Sequence, residues 1–376
     1  MAEATKTKTK WTAARVAVVA LTYAVAILLV EAAVRVTHPE AGRAVYPGYP
    51  AGLVVPDGLL GHAHQPGFNG FFPQPMYSDI PIAINAYGFR DPEWTADPDP
   101  ARPRVLVLGD SITFGSPVRA EERYTDQAAK LLASRGRPIE FCNAGVNGYN
   151  VEQFDKLLRK LGPLLKPRLV LIGFCLRDAE PLAADDARLI RLDEQIAKGA
   201  AWARVEKFAA AYRLDLGQSY AWNLGRRLIE ARLWSSSRFG PDMAARYTEK
   251  TRRHLLDVYN TGGLARLREH LAAMQKFAGD HWRAGLAVVI FAYHHQVKNQ
   301  DPSLSLKVEG VLKELNIPFT NLYYAFLPHK DRDDLYAFQD DCHPSAFGHG
   351  VAGEATADFI AALPGVASVI SVVENK

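Results

Sequence analysis

The sequence predicts an α/β protein, three-layer α/β/α around a parallel sheet, from three observations. Short, continuously apolar runs, Val105–Leu108 and Leu169–Phe174 foremost, read as strands buried on both faces. Segments with apolar residues three and four apart, such as Phe154, Leu157, Leu158 and Leu161, read as amphipathic helices. The two kinds of segment alternate, which specifies parallel pairing through helical crossovers.

The alternation starts at Arg104. After the first strand the pattern predicts a helix near Thr125–Ser134, a strand near Ile139–Asn143 and a helix near Val151–Leu161. Leu169–Phe174 is the third strand. Leu264, Leu267, Leu271 and Met274 mark a helix, Leu286–Phe291 a strand, Leu304–Leu315 a helix and Pro318–Leu322 the last strand. Val351–Leu363 closes the domain as a helix.

The first strand runs straight into Gly109-Asp110-Ser111. Ser111 therefore sits at the carboxyl end of a strand, where open α/β sheets place their chemistry. A serine there becomes a nucleophile only beside a base. The candidate base is far downstream, in Asp340-Asp341-Cys342-His343-Pro344-Ser345. An acid three residues before a histidine, in a turn that a helix follows, directs both side chains towards one strand end. His343 would take the Ser111 proton and Asp340 would hold the imidazole in the required tautomer. Thr113 occupies the second glycine position of a Gly-x-Ser-x-Gly elbow, and acid and base are neighbours, so an α/β-hydrolase is excluded.

GDSITFG resembles the first block of the SGNH (GDSL-type) hydrolases, and DDCHPSAFGHG resembles their last block, which supplies acid and base. Asn143-Ala144-Gly145-Val146-Asn147-Gly148-Tyr149-Asn150 is similar to the second block. That resemblance implies that Gly148, with Ser111 itself, lends a backbone N–H to an oxyanion hole. The third block departs from the family pattern. Cys175-Leu176-Arg177-Asp178 stands where Gly-x-Asn-Asp is usual, and Arg177 takes the place of the asparagine whose amide serves as a donor. A guanidinium also donates to an oxyanion if held in place, or it swings out to solvent. Losing one such donor costs about 10²–10³ in rate. The resemblance spans Arg104 to about Leu363 and implies an SGNH-hydrolase-like, flavodoxin-like fold.

Residues 1–36 read as a cytoplasmic tail and signal-anchor helix. Lys6, Lys8, Lys10 and Arg15 precede the uncharged run Val16–Val30, and a basic amino end stays in the cytoplasm. A cleaved signal peptide is the alternative; the lack of a clean small-x-small site favours the anchor. Residues 37–103 hold twelve of the 23 prolines, which excludes long helices and predicts a stalk or small β-rich lead-in. Within it, Asn85-Ala86-Tyr87-Gly88-Phe89-Arg90-Asp91 reads as a structured turn, similar to an element that precedes the catalytic domain in membrane-anchored SGNH proteins. Tyr87 and Phe89 either line the site or pack on the sheet, with packing favoured.

The hydrolase-like domain is expected over 104–365, with a helical insertion at about 179–260 carrying Trp202, Trp222 and Trp234, and a tail at 366–376. Insertions at that sheet edge build substrate sites. Cys142, Cys175 and Cys342 each lie beside a motif block; without a Cys-x-x-Cys spacing, buried thiols are favoured over a zinc site. His294-His295 lies past the fourth strand, as a substrate contact or a solvated pair.

A net charge of +3 with no basic patch interleaved with aromatics excludes a nucleic-acid partner. No metal or other cofactor is expected. The resemblance implies an extracytoplasmic serine esterase or acyltransferase acting on O-acetyl or other short acyl groups, with an ester-bearing small molecule or acetylated polysaccharide as partner. Hydrolysis and transfer share one acyl-enzyme. The other class is a catalytically weakened glycan-binding or polysaccharide-assembly protein on the same fold, which the Arg177 departure supports.

Overall fold

The apolar runs become strands because only pairing on both edges satisfies their backbone once both faces are covered. The computed structural model describes residues 13–37, 50, 52–72, 77, 79–99, 101–181, 219–222, 224–225, 241–337 and 342–363. Helix α1 spans Ala13–Thr37. Two small hairpins follow: β1 (Val54–Asp57) with β2 (Gly61–His64), and β3 (Asn69–Phe71) with β4 (Pro81–Ala83), both antiparallel. The main domain then runs β5 (Arg104–Gly109), α2 (Ser111–Phe114), α3 (Tyr124–Ser134), β6 (Glu140–Gly145), α4 (Val151–Leu165) and β7 (Leu169–Cys175). It continues with α5 (Pro241–Val258), α6 (Leu264–Trp282), β8 (Gly285–Phe291), α7 (His294–Lys298), α8 (Ser303–Glu314), β9 (Phe319–Asn321), α9 (Leu322–Phe326) and α10 (Ala346–Ala362).

The main sheet has the order β6-β5-β7-β8-β9, and every described pairing in it is parallel. This is the doubly wound order in which chain direction reverses beside the first strand, the position where such sheets open a crevice at their carboxyl edge. Helices α3 and α10 pack together on one face, α4, α6 and α8 on the other. Each turns its apolar stripe inward: Phe154, Leu157, Leu158 and Leu161 of α4, and Leu267, Leu271 and Met274 of α6, are buried in one core.

The expected α/β/α layering is the observed one, with strand positions agreeing to within one or two residues. Helix α4 runs past the expected Leu161 because Gly162-Pro163 falls in its last turn, where the missing proline N–H removes one hydrogen bond without ending the helix; Lys166 then stops it in a left-handed conformation. Within α1, Ala17–Thr37 has a mean hydropathy of 2.3 and is the described helix long and apolar enough to cross a bilayer. Leu21, Ile27, Leu28 and Leu29 expose most of their surface. Near its end Glu31 accepts hydrogen bonds from Ser219 Oγ and from the Tyr220 and Ala221 N–H groups, which ties those three residues to α1; residues 182–218 and 226–240 of the expected insertion lie outside the described residues.

The hairpins pack on the domain. Leu53, Phe72, Ile80, Ile82 and Ile84 form a second cluster around Phe114 of α2. The predicted turn at Asn85 is held by that residue's side chain, whose Oδ1 accepts from Tyr87 N and Phe89 N, both at 3.0 Å. Phe89 is buried in the core and stacks on Trp94 at 5.0 Å, so it packs, whereas Tyr87 stacks on Trp94 at 5.5 Å and stays exposed.

Three glycines meet in register across the carboxyl edge of the sheet: Gly109 faces Gly145 on one side and Gly173 on the other. A Cβ on Gly145 would lie 2.3 Å from Phe114 N, and one on Gly109 or Gly173 would strike Thr113 Oγ1 at 2.0 or 2.4 Å. The row lets α2 come down onto the sheet. Gly145→Ala should therefore lower the apparent Tm of the detergent-solubilised chain by several degrees, an overpacking loss of about 2 kcal/mol. Gly285→Ala, whose Cβ meets only Leu169 Cδ1 at 3.5 Å, should leave it within a degree or so.

Candidate active site

Ser111 is the first residue of α2, and the strand-to-helix turn is closed by Asp110, whose carboxylate accepts the Ile112 N–H at 2.9 Å. As the opening residue of a helix, Ser111 has a backbone N–H outside the intrahelical ladder. Asn143 ties the turn to the next strand: its Nδ2 donates to Thr113 O at 2.8 Å and to Thr125 Oγ1 at 3.0 Å, while its Oδ1 accepts from Gly145 N. Arg90 clamps the far end of α2, with Nη1 donating to Gly115 O at 2.9 Å and Nη2 to Pro81 O at 2.8 Å. Arg123, buried below, donates to the Arg90 carbonyl and pairs with Asp91 at 3.1 Å and Asp126 at 2.8 Å.

His343 arrives from the opposite end of the chain. Its loop is fixed by main chain on both sides: Ala337 N donates to His343 O at 2.9 Å, Ser345 N donates to Leu335 O at 3.1 Å, and Tyr336 bridges Pro344. Ser345 then caps α10 by accepting from Gly348 N. The result places His343 Nε2 2.7 Å from Ser111 Oγ, with both residues half-buried. That separation is within reach for direct proton transfer. Asp340, the expected orienting acid, lies outside the described residues.

Gly148 sits in the loop between β6 and α4 with φ +78°, a conformation that excludes most side chains at that position. Asp178 follows β7; its Oδ2 accepts Cys175 N at 2.8 Å, and burial reinforced by the charge of Asp110 pushes its carboxyl well above the usual range. Arg177 remains at the surface, 43% exposed, with its Nε 3.4 Å from Glu180 Oε1. Glu180 is itself buried and also accepts from His254 Nε2 at 2.9 Å, so the carboxylate that tethers Arg177 is anchored in turn.

His295 is buried beside Tyr293, and the His294 ring packs against Tyr336 at 5.3 Å, which overturns the picture of a solvated pair. Cys142 and Cys175 are buried thiols, and Cys342 places its Sγ 4.0 Å from His343 Nδ1. Trp222 is half-buried; Trp202 and Trp234 lie outside the described residues.

Residues 107–351 match the model of the GDSL-like lipase/acylhydrolase family. The chain belongs to that family. It is an ester-hydrolysing serine hydrolase by that membership. Among solved structures, the chain is similar to a lipase/acylhydrolase from Enterococcus faecalis at 16% identity and a TM-score of 0.38, covering 69% of this chain and 95% of that one. It is similar to an acetylxylan esterase from Geobacillus stearothermophilus at 16% identity and a TM-score of 0.37, covering 68% and 93%. A two-domain esterase active on acetylated mannans gives 12% identity and a TM-score of 0.36, covering 72% and 50%. No curated protein matches.

Sequence reasoning missed the residues in this GDSL-family chain that surround its motif blocks. Glu180 and His254 hold pieces of the site, Arg90 of the expected turn clamps α2, a role that the turn alone did not suggest, and His62 and His64 of β2 reach Asn147, the neighbour of Gly148. The paired histidines in an otherwise apolar four-residue strand were the available signal.

Two buried histidines also set an acid limit. Burial, with His62 nearby, lowers His64 to about 3; burial, with His343, Arg123 and Arg90 nearby, lowers His349 to about 3. Both imidazoles are neutral in the fold, so the unfolded chain binds protons first as pH drops. Their stabilisation is complete above about pH 6.5 and is lost between there and about pH 3, amounting to about 2 kcal/mol each by pH 5. Asp91, raised by burial against the pull of Arg123 to about 6, acts in the opposite sense between about pH 6 and 4. His349→Gln keeps an acceptor for Tyr124 N–H without titrating. It should flatten the fall in apparent Tm between about pH 7.5 and 5 by about 2 kcal/mol equivalent; an unchanged slope would refute the assignment.

Proposed function

We propose that this chain is a membrane-anchored serine esterase or acyltransferase that works on O-acetyl or other short acyl groups of extracytoplasmic carbohydrate. The observation that carries the reading is the 2.7 Å approach of His343 Nε2 to Ser111 Oγ at the carboxyl edge of the sheet. Ser111 Oγ attacks the ester carbonyl carbon while its proton passes to His343 Nε2. Negative charge on the former carbonyl oxygen is met by the N–H groups of Ser111 and Gly148 and by the Arg177 guanidinium, which takes the role of the missing asparagine. Collapse of the tetrahedral species expels the alcohol, which leaves with the proton from His343, and the acyl group stays on Ser111. His343 then removes a proton from water, giving hydrolysis, or from a sugar hydroxyl, giving transfer. Asp340 orients the ring through Nδ1.

Arg177 suits its role because Glu180 fixes it. Partial burial pulls its pKa down, and Tyr293, Glu180, Cys342 and Cys175 outweigh that and hold it well above the usual guanidinium value. For the location, the apolar length of Ala17–Thr37 supports an anchor, and the basic residues before it support a cytoplasmic amino end.

The solubilised full chain should release acetate from an acetylated glycan or aryl acetate, and Ser111→Ala should lower that rate at least about 10³-fold. Equal rates in the two proteins would sink the assignment. Arg177→Ala should lower kcat by about 10- to 100-fold, with Arg177→Asn recovering part of it, and a kcat unmoved by Arg177→Ala would remove the arginine from the hole.

A further inference from the structure

The loop that carries Gly148 is held from outside the family-matched region. His62 Nε2 lies 2.8 Å from Asn147 O; because a carbonyl only accepts, that ring nitrogen bears the hydrogen. The Asn147 side chain is bracketed as well, its Oδ1 accepting from Ser116 Oγ at 3.1 Å and its Nδ2 facing His64 Nε2 at 3.2 Å. The donor ring is itself fixed. Tyr149 Oη donates to His62 O at 2.6 Å and sets its ring edge-on to the imidazole at 5.1 Å. Gln153 Nε2 donates to Leu60 O at 2.7 Å, two residues before His62 on the same hairpin. His62, His64 and Asn147 are all buried.

The consequence follows from peptide geometry. The unit joining Asn147 to Gly148 is planar and trans, so its C=O and N–H point in opposite directions. A hydrogen bond that fixes the oxygen on the hairpin side thereby aims the Gly148 N–H away from the hairpin. It also polarises the amide, because donors to a carbonyl strengthen the N–H of the same unit. Glycine at position 148 would otherwise let this peptide plane rotate, since its φ of +78° is one of many conformations open to it.

We propose that His62 is a positioning residue for acyl transfer, one that aims and polarises the Gly148 N–H through the Asn147 carbonyl, with Asn147 locked by Ser116 and His64. The inference rests on the reading in which that N–H binds the oxyanion. It makes the β1–β2 hairpin a working part of the site.

The test is steady-state hydrolysis of p-nitrophenyl acetate by the solubilised full chain. His62→Phe should lower kcat about tenfold to hundredfold with KM within about twofold, since a misaimed donor forfeits part of what a deleted one does. His62→Gln, whose Nε2–H falls close to the position of the imidazole Nε2–H, should restore most of the rate. An unchanged kcat in His62→Phe, a change confined to KM, or a loss that His62→Gln leaves in place would each overturn the proposal. Should His62→Phe lack a thermal unfolding transition, Ser116→Ala serves: it frees one side of the Asn147 amide and should lower kcat about threefold with KM unmoved, and an unaltered kcat counts against the proposal. Ser111→Ala in parallel separates the two levels. Turnover surviving in Ser111→Ala removes the catalytic reading itself, whereas a dead Ser111→Ala beside a fully active His62→Phe removes only the role of the hairpin.

Discussion

Everything at the site depends on how closely α2 approaches the sheet. Gly109, Gly145 and Gly173 stand side by side on three adjacent strands, and Thr113 rests on the floor that their missing side chains leave. With that floor the serine at the head of α2 stays at the strand ends, inside the crevice. One methyl group on Gly145 would press on the helix backbone itself, and Ser111 would be displaced with it. The polar ties reinforce the same contact: Asn143 binds Thr113 from the neighbouring strand and Arg90 binds the carbonyls at the far end of the helix.

Beneath this contact lies a buried charge cluster. Arg123 joins Asp91 and Asp126 and also donates to the Arg90 carbonyl, so two guanidinium groups and two carboxylates share one region under α2. Such networks add little net stability over a well-packed apolar equivalent, and removing a single member leaves a stranded charge. Their value here is directional. The Arg90 fork fits a set of carbonyl oxygens in one arrangement only, which fixes the turn after Ser111 more sharply than apolar packing does.

Much of this was legible in the residues. The β7 run Leu169–Phe174 was bounded to within a residue, because continuous burial leaves an unbroken apolar string. The meeting of Ser111 and His343 followed from topology: two strand-end loops in one parallel sheet share an edge wherever they fall in the sequence. What stayed hidden was the destination of isolated polar side chains. His62 and His64 find their partner 85 and 83 residues away, and no local periodicity encodes such a distance. His295 hid for the related reason that a histidine's burial depends on what packs over it, here Tyr293 and its surroundings. The exchange of asparagine for Arg177 was visible at once, whereas its anchoring by Glu180 needed the fold.

The family match begins at residue 107, after the segment that contains His62, His64 and Arg90. The boundary by which relatives are recognised is therefore narrower than the unit that holds α2 and the Gly148 loop in place. Grafting the recognised portion alone onto another chain would transplant Ser111 and leave behind the His62 and Arg90 side chains that hold the Asn147 carbonyl and the far end of α2.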